Sequence, residues 1–544
     1  MNEANSILKA FVWLIPFLPM LGTLAIGIGF ISGKNRGESG EKQTTLIANG
    51  MAMLSLLIVF AVDLHAIFIA VPGHLELAQW FSSGDYQVNL SFNLDIFALV
   101  LMTLVAVISV LMIRFSVNYM HREAGYQRFF MIMSLFMGAM LLIVMSGNVV
   151  LTFTGWELAG VSSYLLIAYV YDRPIATQNA TRVFITNRIG DTGFIIAIFL
   201  SFHLLNTLEW TEILAGANSL SPLGSTILAA SFLLAAIAKS AQVPFAPWIS
   251  RALEGPTPSS AIFYGSLMVH AGVYLIIRLQ PVLENSPVIM STLAFIGLLT
   301  VLYGFFSNLV QTDVKSNLIF STTAQVGLMF FSCGMGWFEL ASWHLVLHAI
   351  WRAYQFLHAP AIMHLMVHKT RPVHPLLKRQ GWLYTASLQR FWLDPMADWL
   401  LVRPIKSIAH DTERFDEKVI NRLVGLPEQT SAITSIADWE MQKSISQTAG
   451  LLTKGTTKDQ PVKRWHSEAE KEEVSRGHGF AGKLLEGLAD MLFWFEEHLV
   501  LKSGGEGLLK LLNIIGHYLL QIEELLSQPR YLMLLILATF VVII

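Results

Sequence analysis

The chain has 544 residues, of which 54% are hydrophobic and only 14% charged, with a mean hydropathy of +0.55. That surplus of apolar side chain excludes an ordinary soluble globular protein and places most of the chain in a lipid bilayer. The one cysteine, Cys333, excludes an internal disulfide and a cysteine-cluster metal site; the net charge of −2 singles out no partner, and no nucleic-acid partner is expected.

A crossing needs about 20 apolar residues. On that measure the sequence predicts an all-α integral membrane protein of about 12 transmembrane helices, near 10–31, 46–71, 93–117, 129–146, 149–170, 183–205, 224–248, 257–279, 286–310, 316–336, 339–366 and 530–544. The first apolar segment is too long for a signal-peptide core and lacks a small-residue cleavage site, so it reads as a retained span. Connections alternate in charge. Lys34, Arg36, Lys42, Arg114, Arg122, Arg128, Arg173, Arg182, Arg188, Arg251 and Lys315 fall on one side, while 72–92 and 206–222 carry no Lys or Arg. The positive-inside rule then puts the N-terminus outside and 369–528 in the cytoplasm of a bacterial inner membrane, with Arg278 as the exception.

Three parts are expected: a transmembrane part over 1–368, a cytoplasmic amphipathic and linker region over 369–528, and a final span over 529–544. Residues 379–425 mix Trp and Phe with charges, which suits helices on the membrane surface or against a partner. Residues 443–479 read as a polar linker. From Phe480 to Leu526 two amphipathic patterns return, suited equally to docking a partner and to bracing the bundle.

Charges inside apolar stretches are the sharpest signal. Glu157 and Lys239 stand mid-span, where a charge costs several kcal/mol and normally faces a bundle interior or an aqueous path. Pro244 and Pro247 follow Lys239 and predict a broken helix, tolerated where its freed carbonyls line a polar cavity. A structural ion pair between Glu157 and Lys239 is the blander alternative. His344, His348 and Arg352 recur every four residues and share one helix face. Leu345 stands where a zinc-protease motif would carry its glutamate, so a proton or water path suits this face better than a metal. Asp191, His270, Lys315 and Glu339 are further candidates, the last two being near span ends and able to snorkel.

The stretches FTGWELAGVSSYLLIAY, FITNRIGDTGF, AKSAQVPFAPWISRALEGPTPSSAIFYGSLMVHAGVYLI and QTDVKSNLIFSTTAQVGLM resemble the antiporter-like membrane subunits of respiratory complex I and Mrp-type cation/proton antiporters, over residues 10–360. The resemblance implies that Glu157 and Lys239 are the family's acid–lysine pair, with Lys239 at the broken helix, and that His344 and His348 belong to its central hydrophilic axis. Two positions depart from it: Arg352 stands where pumping subunits usually carry a lysine, and Tyr264 where many carry a histidine. After residue 368 the chain enters polar sequence where a second broken helix is expected. A shortened member with a large cytoplasmic region also resembles the membrane subunit of DAB-type dissolved inorganic carbon transporters. That resemblance implies cation flux, of protons or sodium, coupled to CO2/bicarbonate uptake by a large cytoplasmic zinc-binding, carbonic-anhydrase-like partner. The alternatives are a proton-pumping complex I subunit and a structural scaffold for a soluble enzyme. No cofactor is expected in this chain, any zinc belonging to the partner.

Overall fold

The computed structural model describes residues 9–83, 86–366 and 373–416, so the expectations for 417–544, including the linker, the paired amphipathic helices and the last span, lie outside the described residues. Residues up to Val402 form one compact unit. A second unit begins at Arg403, and its described part is the amphipathic helix Arg403–Phe415.

The first unit runs α1 (Leu14–Ile31), α2 (Glu41–Phe68), β1 (Gly73–Ser83), β2 (Tyr86–Leu94), α3 (Ile96–Tyr119), α4 (Tyr126–Met145), α5 (Val149–Ile167), α6 (Pro174–Leu205), α7 (Trp210–Ala215), α8 (Pro222–Lys239) and α9 (Pro247–Arg251). It continues through a composite span over Thr257–Arg278, then α10 (Pro287–Leu309), α11 (Val314–Gly334) and α12 (Phe338–Met366). Among the described residues nine helices are long and apolar enough to cross a membrane, as expected of a helical membrane protein. Starts are set by local chemistry: Asp95, Asn148, Ser221 and Asp313 each accept a backbone N–H of the first turn of α3, α5, α8 and α11.

Three expectations need correcting, and the break predicted within 224–248 is present. Residues 72–92, read as a plain connection, form most of an antiparallel hairpin with Gly73 opposite Leu94. Its signal is the alternation of Val88, Leu90, Phe92 and Leu94 against Asn89, Ser91 and Asn93. The span over 224–248 is broken, as Pro244 and Pro247 predict: α8 stops at Lys239, and Ala241 takes a left-handed φ of 51°. The span over 257–279 is irregular, with a π segment at Ala261–Ser266 and a 3-10 turn at Met268–His270 before helix resumes at Ala271. Finally, α6 begins nine residues earlier than expected, at Pro174 rather than residue 183, so Arg188 lies within a long helix rather than among the connecting charges. Arg278, the exception to the charge pattern, is buried and paired with Asp95, with Tyr274 within reach of its guanidinium.

Two glycines let helices close around the end of α8. A Cβ at Gly190 would sit 2.3 Å from the Cβ of Ala238, and one at Gly272 would sit 2.4 Å from the carbonyl oxygen of Ala236. Only a residue without a side chain permits both approaches.

Past residue 373 the chain folds back on the bundle as Pro375–Arg379, Gly381–Leu388, Arg390–Trp392, Leu393–Ala397 and Asp398–Val402. Arg390, Phe391 and Trp392 have φ of 50°, 54° and 54°. Left-handed backbone costs a non-glycine residue about 1–2 kcal/mol, so three in succession persist only where surrounding contacts hold them.

Candidate ion path

Lys239 closes α8 and is only 1% exposed. Its Nζ donates to the carbonyl of Trp156 at 3.0 Å and lies 5.0 Å from the centre of that indole ring. Gly160, one turn further along α5, leaves room for it, since a Cβ there would be 3.3 Å from Nζ. The Trp156 Nε1–H donates to Asp191 at 2.9 Å, and Asp191 lies 3.4 Å from Arg188 Nε. Arg188 in turn pairs directly with Glu157.

The blander alternative, a direct ion pair of Glu157 with Lys239, is therefore not what forms. Arg188 holds the glutamate, and among the described residues Lys239 has no carboxylate within ion-pairing reach. The reason is helical geometry: Arg188 and Asp191 are three residues apart on α6 and share a face, from which Arg188 meets Glu157 and Asp191 meets the Trp156 indole, both on α5. Sequence reasoning counted Arg188 only as a topological charge; its spacing from Asp191 was the available signal.

Pro244 lies in the break and Pro247 opens α9. Val243 N–H donates to Thr300 Oγ1 at 3.0 Å, and the Trp248 Nε1–H donates to Ala238 O at 2.8 Å, so side chains take up backbone groups where the helix is interrupted. Around this point the buried atoms Ser240 Oγ, Gln242 Oε1 and Glu157 Oε1 have no hydrogen-bond partner among the described residues.

A second polar group forms across the irregular span and α12. His270 Nε2 and His348 Nδ1 are 2.9 Å apart, and Arg352 Nε donates to His348 Nε2 at 3.1 Å. Arg352 also donates to Gln355 Oε1 at 2.6 Å and to Ser321. A guanidinium only donates. With both rings neutral, His348 therefore accepts at Nε2 and carries its proton on Nδ1, which passes the hydrogen bond to His270 Nε2; His270 then carries its own proton on Nδ1. His344 is half-buried and meets Gln325 at 2.9 Å. Between the two groups the buried Tyr264 hydroxyl is bonded to Ser163 at 2.9 Å.

Lys315 and Glu339 are not drawn in: the first is half-buried beside the Asp313 cap of α11, and the second is exposed at the start of α12. Among the described residues no three His, Cys, Asp or Glu are grouped to hold a metal ion. Cys333 is fully buried in α11.

A family model described as NADH:quinone oxidoreductase/Mrp antiporter, TM, matches residues 146–376, and one for the N-terminus of complex I chain 5 matches residues 80–130. Over these residues the chain is similar to the antiporter-like membrane subunits of complex I and Mrp complexes. It is a multi-pass membrane protein. It is 35% identical over 370 residues to NAD(P)H-quinone oxidoreductase chain 5 of Synechocystis, covering 66% of this chain and 54% of the relative. It is 34% identical over 363 residues to the chloroplastic subunit 5 of Zygnema circumcarinatum, covering 66% and 52%. The chain thus spans about half the length of the curated relatives it matches. Among solved structures, the Mrp complex of Dietzia sp. matches with a TM-score of 0.56 at 25% identity, over 69% of this chain and 39% of that one. An archaeal membrane-bound sulfane sulfur reductase matches in fold with a TM-score of 0.55 at 16% identity, over 71% and 64%. The carbon-transporter resemblance is finer than these relatives carry, and the relatives are themselves parts of multisubunit membrane complexes.

Proposed function

We propose that this chain is a proton-translocating, antiporter-like subunit of a multisubunit complex of the NAD(P)H-quinone oxidoreductase type. The observation that carries the reading is Lys239, an ammonium group fully buried at the end of a broken helix, hydrogen-bonded to a carbonyl and, among the described residues, with no carboxylate in contact. A charge so placed in a membrane span marks an ion or proton route. Glu157, Arg188 and Asp191 form the charged group that biases it, and motion of Arg188 between the two acids would change the field at Lys239. The unpartnered buried oxygens at the break support entry of water there.

The His270–His348 contact is the second element of the proposed route. A proton accepted by one ring and released by the other crosses between helices, while Arg352 supplies a fixed charge and sets which nitrogen of His348 bears hydrogen. In this proposal residues 1–368 conduct and 369–528 dock partner subunits on the cytoplasmic side.

The test is reconstitution of the complex purified in mild detergent. Quinone-linked acidification of liposomes should be present with the native chain and absent with Lys239→Ala. Co-purification with a zinc-binding carbonic-anhydrase-like protein, and bicarbonate accumulation, would instead favour the carbon-transport reading. That reading rests on the polar sequence that follows residue 368, where a second broken helix is expected.

A further inference from the structure

The segment from Arg390 to Val402 carries its charges inward. Asp394 pairs with Arg251 of α9 at 3.0 Å and with Arg390 at 3.2 Å, and Arg390 also donates to Ser250 at 2.8 Å. Asp398 pairs with Arg182 of α6 at 2.6 Å. Beside these pairs Phe391 and Leu393 pack against the buried cluster of Ala246, Tyr303 and Phe320, which Val243 also joins, so the segment and the break after α8 share one small apolar cluster. Its opposite face exposes Trp392, Met396, Trp399 and Leu400.

This polarity is the reverse of a helix resting on a soluble domain, whose charges face water and whose apolar side faces the core. The left-handed run at 390–392 has the same consequence, since it turns Phe391 towards the break while exposing Trp392. Between segment and bundle is a cavity of about 20 Å³ lined by Arg182, Phe245, Trp248, Arg251, Asp394 and Asp398. That is room for about one water and not for a continuous column. Trp248 spans from this cavity to the carbonyl preceding Lys239.

We propose that residues 390–402 are a closing wall of the path at the helix break, and that Asp394 and Asp398 are positioning residues that clamp it there and keep bulk water from Phe245 and Trp248. Each acid is held by arginine, a partner that stays charged, so the clamp is a fixed electrostatic fastening and not a proton carrier. The proposal rests on the reading that Lys239 belongs to an ion path, but its test needs no ion flux.

The test uses a cysteine at Phe245, which is buried, in the full chain in native membranes; Cys333 is fully buried and replaced by alanine as a control. Vesicles of both orientations are treated with a membrane-impermeant maleimide. Phe245→Cys should label slowly, and adding Asp394→Asn should speed labelling about 10-fold, which is about 1.4 kcal/mol off the closure, for loss of a half-buried carboxylate that two arginines share. Asp394→Glu, which keeps a carboxylate for both Arg251 and Arg390, should restore protection. If Asp394→Asn does not accumulate, Asp398→Asn, whose partner is on a different helix, decides in the same way. Rapid labelling of Phe245→Cys in the intact clamp, or labelling unmoved by loss of the acid, overturns the proposal. Loss of proton pumping in Lys239→Ala leaves this result untouched, so the two readings fail separately.

Discussion

Replacing Lys239 by methionine separates a conducting lysine from a structural one. Burial of an ammonium costs several kcal/mol even after relaxation. Against this stand one charge-assisted hydrogen bond, to Trp156 O, worth about 1.5–3 kcal/mol. The indole face adds about 2 kcal/mol when desolvated, and a cation in the last turn of α8 adds up to about 2 kcal/mol more. The gains and the penalty are of the same size, and among the described residues no carboxylate contacts Lys239 to be left unpaired by its removal. Methionine fills a similar volume without a charge. Lys239→Met should therefore accumulate in membranes and change unfolding free energy by no more than about 1 kcal/mol, measured by thermal denaturation in detergent. Proton transport by the reconstituted complex should nevertheless fall to background. A variant that loses 3 kcal/mol or more, roughly the cost of breaking a buried pair, would mean that Lys239 is structural. A stable variant that transports normally would refute its place in the path.

Arg352→Lys keeps the charge but cannot hold His348, Gln355 and Ser321 together, so transport should fall roughly 2- to 10-fold, the value of about one hydrogen bond, whereas Arg352→Ala should abolish it. Gly272→Ala, whose methyl would press on Ala236 O, should cost about 1–3 kcal/mol in thermal stability. Gly50→Ala, with open space around it inside α2, should be neutral or slightly stabilising and serves as the control. Glu209, in the connection before α7, accepts a hydrogen bond from Ser91 of the hairpin, and burial raises its carboxyl above the ordinary 4.5 despite that bond. The folded form thus holds its proton more tightly than the unfolded one, so this contribution to stability is present below pH 4.5 and is lost as pH rises through the folded value. Hydrogen exchange at Ser91 and Asn148 should be better protected at the acid side after correction for intrinsic rates, and Glu209→Gln should remove the difference.

Much of the architecture is written in local composition. Twenty-residue apolar stretches dictate membrane helices because backbone polar groups in lipid must be satisfied within the segment, and Asp95, Asn148 and Ser221 mark helix starts because their side chains accept orphan N–H groups. The break after Lys239 was legible in Pro244 and Pro247, and the shared face of His344, His348 and Arg352 in their spacing. Which charges meet was not legible. That Arg188 takes Glu157 away from Lys239, that His270 comes from another span to touch His348, and that Asp394 and Asp398 turn inward onto Arg251 and Arg182 are decided by how helices pack. These partners lie tens to hundreds of residues apart, and sequence spacing relates only side chains on one helix or strand. The left-handed turn at 390–392 has the same origin: no residue in it favours that backbone, and contacts supplied from elsewhere in the bundle hold it.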